Sequence, residues 1–208
     1  TSQALHIFEP RYRQMLADCQ AGDGRFGISP VVAQPQHPPP RGSVGCTATV
    51  RNVVPLPDGR SNITVAGGTR YAVAGYVETD RQYLIAEVDE VNDDPWFDHD
   101  AVTQLAADVR DRFLGYLAAL GQAQDDVAGA APPDDPGGLS FAVSAALEVD
   151  LALKVRLLEL RSTSARLELL RDLLGPLTES ARQRALVHRQ AKRNGRRRFA
   201  QPLDGAGS

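Results

Sequence analysis

The sequence predicts an α+β protein in which a small antiparallel barrel or sandwich is followed by a helical subdomain. Two observations carry the class. Through residues 1–95, short apolar stretches alternate with Gly-, Pro- and Asp-rich turn signals, and from Asp100 the apolar period becomes that of a helix. A third observation limits the alternatives. With 208 residues, 42% hydrophobic and 24% charged, the chain has enough apolar material to bury a core.

The elements follow in order. Leu5-His6-Ile7-Phe8 leads into Glu9-Pro10, after which Tyr12, Met15, Leu16 and Cys19 fall at i, i+3, i+4 and i+7. That spacing makes one apolar stripe of a short helix, with Pro10 in the first turn, where its missing N–H costs nothing. Gly22-Asp23-Gly24 ends the helix, and Phe26 to Val32 reads as a strand interrupted at Pro30. Gln34 to Gly42 contains four prolines and is expected to be an extended surface loop. Val44 to Leu56 is a strand with Val44, Cys46, Ala48 and Val50 on one side; Pro57-Asp58-Gly59-Arg60 turns it back into Asn62 to Ala66. Gly67-Gly68 marks a bulge or bend before a further strand to Val77, and Asp80-Arg81-Gln82 turns the chain into Tyr83 to Val91.

Asp100 is expected to cap a helix running to Leu120. A Pro-, Gly- and Asp-rich connector covers 121–138, and helices are expected at 139–146, 151–160, 165–174 and 178–194. Gly175-Pro176 should separate the last two. Residues 195–208 read as a flexible basic tail. The expected division is thus a β domain over 1–95, a helical subdomain over 100–194 and the tail.

Charge is unevenly spread. Residues 1–100 carry 8 basic against 13 acidic side chains, 101–180 carry 7 against 12, and 181–208 carry 8 against 1. An acidic body with a basic tail bears on which partners can approach. Two cysteines, Cys19 and Cys46, supply neither a disulfide scaffold nor a four-thiolate zinc site. The only lysines, Lys154 and Lys192, lack the surroundings of a phosphate-binding loop, and His6, His37, His99 and His188 lie far apart. Asp98-His99-Asp100 could ligate a metal, although a helix cap is the plainer reading. No catalytic, cofactor-binding or metal-ligating residues are therefore expected. No run approaches the roughly 18 apolar residues of a membrane span, and no signal peptide is seen, so a cytoplasmic protein is expected.

The run Leu5-His6-Ile7-Phe8-Glu9-Pro10-Arg11-Tyr12-Arg13 resembles the entry segment of the Lon protease amino-terminal domain. Phe26-Gly27-Ile28, Val44-Gly45-Cys46, Leu56-Pro57-Asp58-Gly59-Arg60, Gly67-Gly68-Thr69-Arg70-Tyr71 and Tyr83-Leu84-Ile85-Ala86-Glu87-Val88 agree with that family in order and spacing. The resemblance implies a PUA-like β pseudo-barrel followed by helices, and a role in recognising substrate polypeptides. The full protease of that family also carries an ATPase and a Ser-Lys peptidase module, which 208 residues cannot hold and for which neither lysine has the required surroundings, so a non-catalytic stand-alone domain is expected. The family has a further apolar strand before this run, whereas only Thr1-Ser2-Gln3-Ala4 precedes Leu5, so the sequence is expected to be short at its start.

Glu9, Arg11, Tyr12 and Arg70 are the candidate partner-binding residues. Each has a structural alternative: Glu9 and Pro10 start a helix, Tyr12 packs inward, Arg11 pairs with an acidic neighbour, and Arg70 ties loops together. Arg193, Arg196, Arg197 and Arg198 are the candidate nucleic-acid contacts, because PUA-like folds include RNA binders. The expected partners are unfolded polypeptide segments or a partner protein, with RNA as the alternative. No cofactor is expected.

Overall fold

The computed structural model describes residues 2–30, 38–121 and 132–198, with side chains through Val187. Ten elements follow in the order β1 (Ser2–Ile7), α1 (Pro10–Ala21), β2 (Arg25–Ile28), β3 (Val44–Pro55), β4 (Ser61–Val77), β5 (Ile85–Glu90), α2 (His99–Leu120), α3 (Pro136–Ala146), α4 (Leu151–Glu159) and α5 (Thr163–Arg198). The expected α+β class, with an antiparallel sheet ahead of the helices, is what forms. Most of the connector and the tail from residue 199 lie outside the described residues, as do residues 31–37, which hold the end of the strand expected to Val32 and the first part of the proline-rich loop.

The sheet is organised by β4, whose 17 residues are long enough to take two strands along one edge. Its first part pairs with β1 (Leu5↔Ile63) and its last part with β5 (Val73↔Val88), while β3 runs along the other edge and carries β2 beyond it. All four pairings are antiparallel. Alternation places Ile63 and Val65 inward, where they meet Ile7, Ala48 and Leu16 of α1 in a small core. Of the stripe expected on α1, Leu16 alone is fully buried, and Tyr12 is 37% exposed. The β3–β4 turn forms as its residues dictate. Gly59 takes φ 80°, and the Asp58 carboxylate accepts from the Arg60 backbone N–H at 3.1 Å.

Three boundaries differ from expectation for physical reasons. Gly67-Gly68 carries the expected bulge but does not end a strand. The register jumps between Cys46↔Arg70 and Ala48↔Gly67, so the extra residue is absorbed as a bulge within a continuous β4. Helix α2 is capped by Asp98, not Asp100. The Asp98 side chain accepts from the Ala101 N–H at 2.9 Å, and Asp100 becomes an acidic residue of the first turn, where the helix dipole favours it. Helix α3 starts earlier, at Pro136, because Asp135 accepts from the Gly138 N–H at 2.7 Å and proline is tolerated at the first position.

The largest departure is at Pro176, which lies inside one 36-residue helix, not between two. Leu167, Leu170, Leu174 and Ala181 are all buried in one core with Val109, Phe113 and Leu117 of α2, so burial continues on both sides of the proline. A mid-helix proline costs roughly 3 kcal/mol. Burying a single leucine contributes about 1.5–3 kcal/mol, so a stripe of them outweighs the missing hydrogen bond. Backbone helix then carries on past the expected end at Asn194 to Arg198.

Candidate binding surface

The four predicted residues fall into two places. Glu9, Arg11 and Tyr12 sit together at the start of α1. Arg11 pairs with Glu9 at 2.7 Å and lays its guanidinium 4.7 Å from the centre of the Tyr12 ring. The chain geometry explains this. Glu9 is the N-cap but makes no side-chain cap, which frees its carboxylate for the arginine two residues on. Beside them Phe8 is half exposed and stacked on His6, whose Nδ1 meets the Asn62 amide oxygen at 2.7 Å. Together these make a partly exposed cluster of aromatic rings and a paired charge.

Arg70 lies elsewhere and inside. It is buried, and it donates to the backbone oxygens of Leu158 and Leu160 at 2.7 and 2.9 Å as well as to Asp93. Asp93 also receives Arg166, whose Nη2 lies 2.6 Å from its carboxylate, and the Thr163 hydroxyl at 3.0 Å. Arg166 has no exposed side-chain area and donates further to Ser140 and to the Leu160 carbonyl. Phe141 completes the cluster, with both guanidinium carbons over its ring at 5.0 and 3.9 Å. Burial pushes the Arg70 guanidinium below the ordinary arginine range, and Asp93 partly offsets the effect. Every member is satisfied, and the cluster joins β4, the segment after β5, α3 and the α4–α5 corner. Arg70 is a clamp between the sheet and the helices, not a contact offered to a ligand.

Sequence reasoning missed Asp93, Ser140, Thr163 and Arg166. A signal existed for one of them. Arg166 stands at i−4 from Leu170 on an otherwise apolar face, where an arginine needs a buried counter-charge. Arg193, Arg196, Arg197 and Arg198 belong to the last turns of α5 by their backbone, and their side chains lie outside the described part of the structure.

The two cysteines are half-buried and free. Cys19 donates to the Arg25 carbonyl at 3.2 Å; burial, then the nearby Asp23 and Asp18 carboxylates, push its thiol up. Burial likewise pushes the Cys46 thiol up, with Arg70 pulling the other way. Both should therefore react with iodoacetamide at neutral pH more slowly in the folded chain than in urea. Equal rates in the two states would contradict these environments.

Among the described residues, most of the exposed large apolar side chains belong to the β half of the chain, Phe8, Tyr12, Val54, Tyr76, Leu84 and Val88 among them, while Leu151, Leu186 and Val187 are exposed on the helices. Phe97, just before α2, is 94% exposed, while its neighbour Trp96 packs against the helical core and donates to His99 Nδ1 at 2.9 Å. No described helix is long and apolar enough to cross a membrane.

What the fold defines is a mixed α+β body, an antiparallel sheet braced by helices through a buried arginine–aspartate clamp. Residues 1–175 match the family model of the ATP-dependent protease La (LON) substrate-binding domain, and the chain belongs to that family. Its fold is similar to that of the N-terminal domain of the Mycobacterium avium complex Lon protease, with a TM-score of 0.67 at 22% identity over 84% of this chain and 90% of that one. It is also similar to a Lon N-terminal domain protein from Xanthomonas campestris, with a TM-score of 0.56 at 20% identity over 82% of this chain and 88% of that one.

Proposed function

We propose that this chain is a non-catalytic module that holds polypeptide segments of unfolded clients or of a partner protein, with the sheet as the binding unit and the helices as its brace. The observation that carries the reading is the set of apolar side chains exposed along the β half of a domain from a substrate-binding family. Glu9, Arg11 and Tyr12 supply a second rim of contact beside Phe8. Binding at one site is weak, on the order of micromolar, because an unfolded segment loses conformational freedom when it is held.

The reading is tested by adding the purified chain to a denatured client protein as it is diluted into buffer. Suppressed aggregation, crosslinks between client and sheet, and an uncleaved client are the expected results. Unchanged aggregation and no crosslinks across several clients would refute it. The Phe8→Ser variant should suppress aggregation less than the parent chain while unfolding at a similar urea concentration, since that ring is more than half exposed.

A further inference from the structure

β5 is paired on one side only. Its backbone bonds to β4, and among the described residues no strand lies along its other edge, which leaves a row of N–H and C=O groups without a ladder partner. The hairpin that presents this edge is fixed in place from below. Asp18 of α1 receives both Arg81, at 2.9 Å, and the Tyr83 hydroxyl, at 2.8 Å, and Gln14 receives the Gln82 N–H at 3.1 Å. The edge is thus preorganised, which lowers the entropy cost of filling it.

Two further features choose the occupant. Leu84 is 63% exposed and Val88 47% exposed, so apolar area lies uncovered on the strand and just before it. Residues 76–90 also contain five acidic side chains (Glu78, Asp80, Glu87, Asp89 and Glu90) against the single Arg81, which Asp18 already engages. All five are exposed, and among the described residues none is in an ion pair. A second copy of the same edge would meet like charge opposite like charge, which disfavours self-pairing.

Resting on the proposed polypeptide-holding role, we infer that the outer edge of β5 takes an extended polypeptide segment of alternating apolar and basic residues, which adds to the sheet as a further strand. Backbone hydrogen bonds supply the general grip, Leu84 and Val88 take the apolar side chains, and Glu87 and Asp89 select the basic ones. Polypeptides exposing such segments only when unfolded are captured, and folded ones are passed over.

The test uses the full chain and a fluorescent peptide of about ten residues alternating valine and lysine. The peptide should bind in fluorescence anisotropy and protect the amides of residues 85–90 from hydrogen exchange. A valine–glutamate peptide should bind about tenfold more weakly or worse. The valine–lysine peptide methylated on alternate backbone nitrogens, which keeps its charge and loses its donors, should lose binding. The Glu87→Lys/Asp89→Lys chain should lose affinity for the valine–lysine peptide. Full binding of the methylated peptide, an unchanged Glu87→Lys/Asp89→Lys chain, or protection confined to other elements would overturn the inference. Denatured clients crosslinking elsewhere on the chain while β5 stays unprotected would sink this inference alone; clients failing to bind at all would sink the role beneath it.

Discussion

The Asp93→Ala variant should lose about 3–5 kcal/mol of stability, because it leaves buried guanidinium charge without its carboxylate. Arg166 has no exposed side-chain area and Arg70 has 6%, so neither can recover water in place of Asp93. The two would then share only Phe141 and neutral acceptors, and the Leu160 carbonyl they both use cannot offset two charges. Asp93→Asn keeps an acceptor oxygen and should fall between the variant and the parent. The control is Asp94→Ala one residue on. Asp94 pairs with Arg161 at 2.9 Å, but both side chains are more than half exposed, so the loss there should be about 0–1 kcal/mol. Urea unfolding distinguishes them directly. Near-equal midpoints for Asp93→Ala and Asp94→Ala would show that the clamp does not hold the sheet to the helices.

A second large effect is expected where Tyr71 crosses the sheet. Its ring lies over two glycines and its hydroxyl meets the Ser29 hydroxyl at 2.9 Å. A β-carbon at Gly45 would stand 2.6 Å from the ring carbon Cζ and 2.7 Å from the Ile28 carbonyl oxygen; one at Gly27 would stand 2.6 Å from the hydroxyl oxygen and 3.1 Å from Cζ. Gly45→Ala and Gly27→Ala should each cost about 1–3 kcal/mol through overpacking. The pair separates on a double-mutant cycle. Tyr71→Phe removes the atom that crowds position 27 and should restore much of the Gly27→Ala loss. It should restore little at position 45, where a ring carbon and a backbone oxygen remain. Equal rescue at both positions would contradict the arrangement.

Those glycines also show how far the residues could be read in advance. Alternation and turn chemistry are enough for β2, β3, β5, the two halves of β4 and the tight turn at Gly59, because strand period and positive φ are local properties; β1 and the continuity of β4 depend on pairing with distant residues. Phe26-Gly27-Ile28 and Val44-Gly45-Cys46 stood out as family-like without a visible reason; the reason is a tyrosine ring from β4, tens of residues away. Pro176 was misleading for the complementary cause. Its local cost is real, but Leu174 before it and Ala181 after it are committed to α2, and that commitment is invisible in the segment itself.

The surface was legible in part. Glu9, Arg11 and Tyr12 lie together at the start of α1, Glu9 partly buried and the other two exposed, with Arg11 paired to Glu9 in line with the plainer reading. The structural alternative for Tyr12, packing inward, holds in part: the residue is 37% exposed and carries Arg11 over its ring. Arg70 followed the plainer reading of an arginine that ties segments together. Its partners come from residues 93, 158 and 160, and no spacing rule connects positions so far apart.

Backbone hydrogen exchange of the intact chain, measured with and without an excess of a denatured client, tests the central claim most directly. If this domain holds polypeptides on its sheet, amides of the sheet strands and of the β1–α1 entry gain protection, the α2–α5 core is unchanged, and the client is recovered at full length. Protection confined to the helices, no protection anywhere, or a client cut into fragments would contradict it.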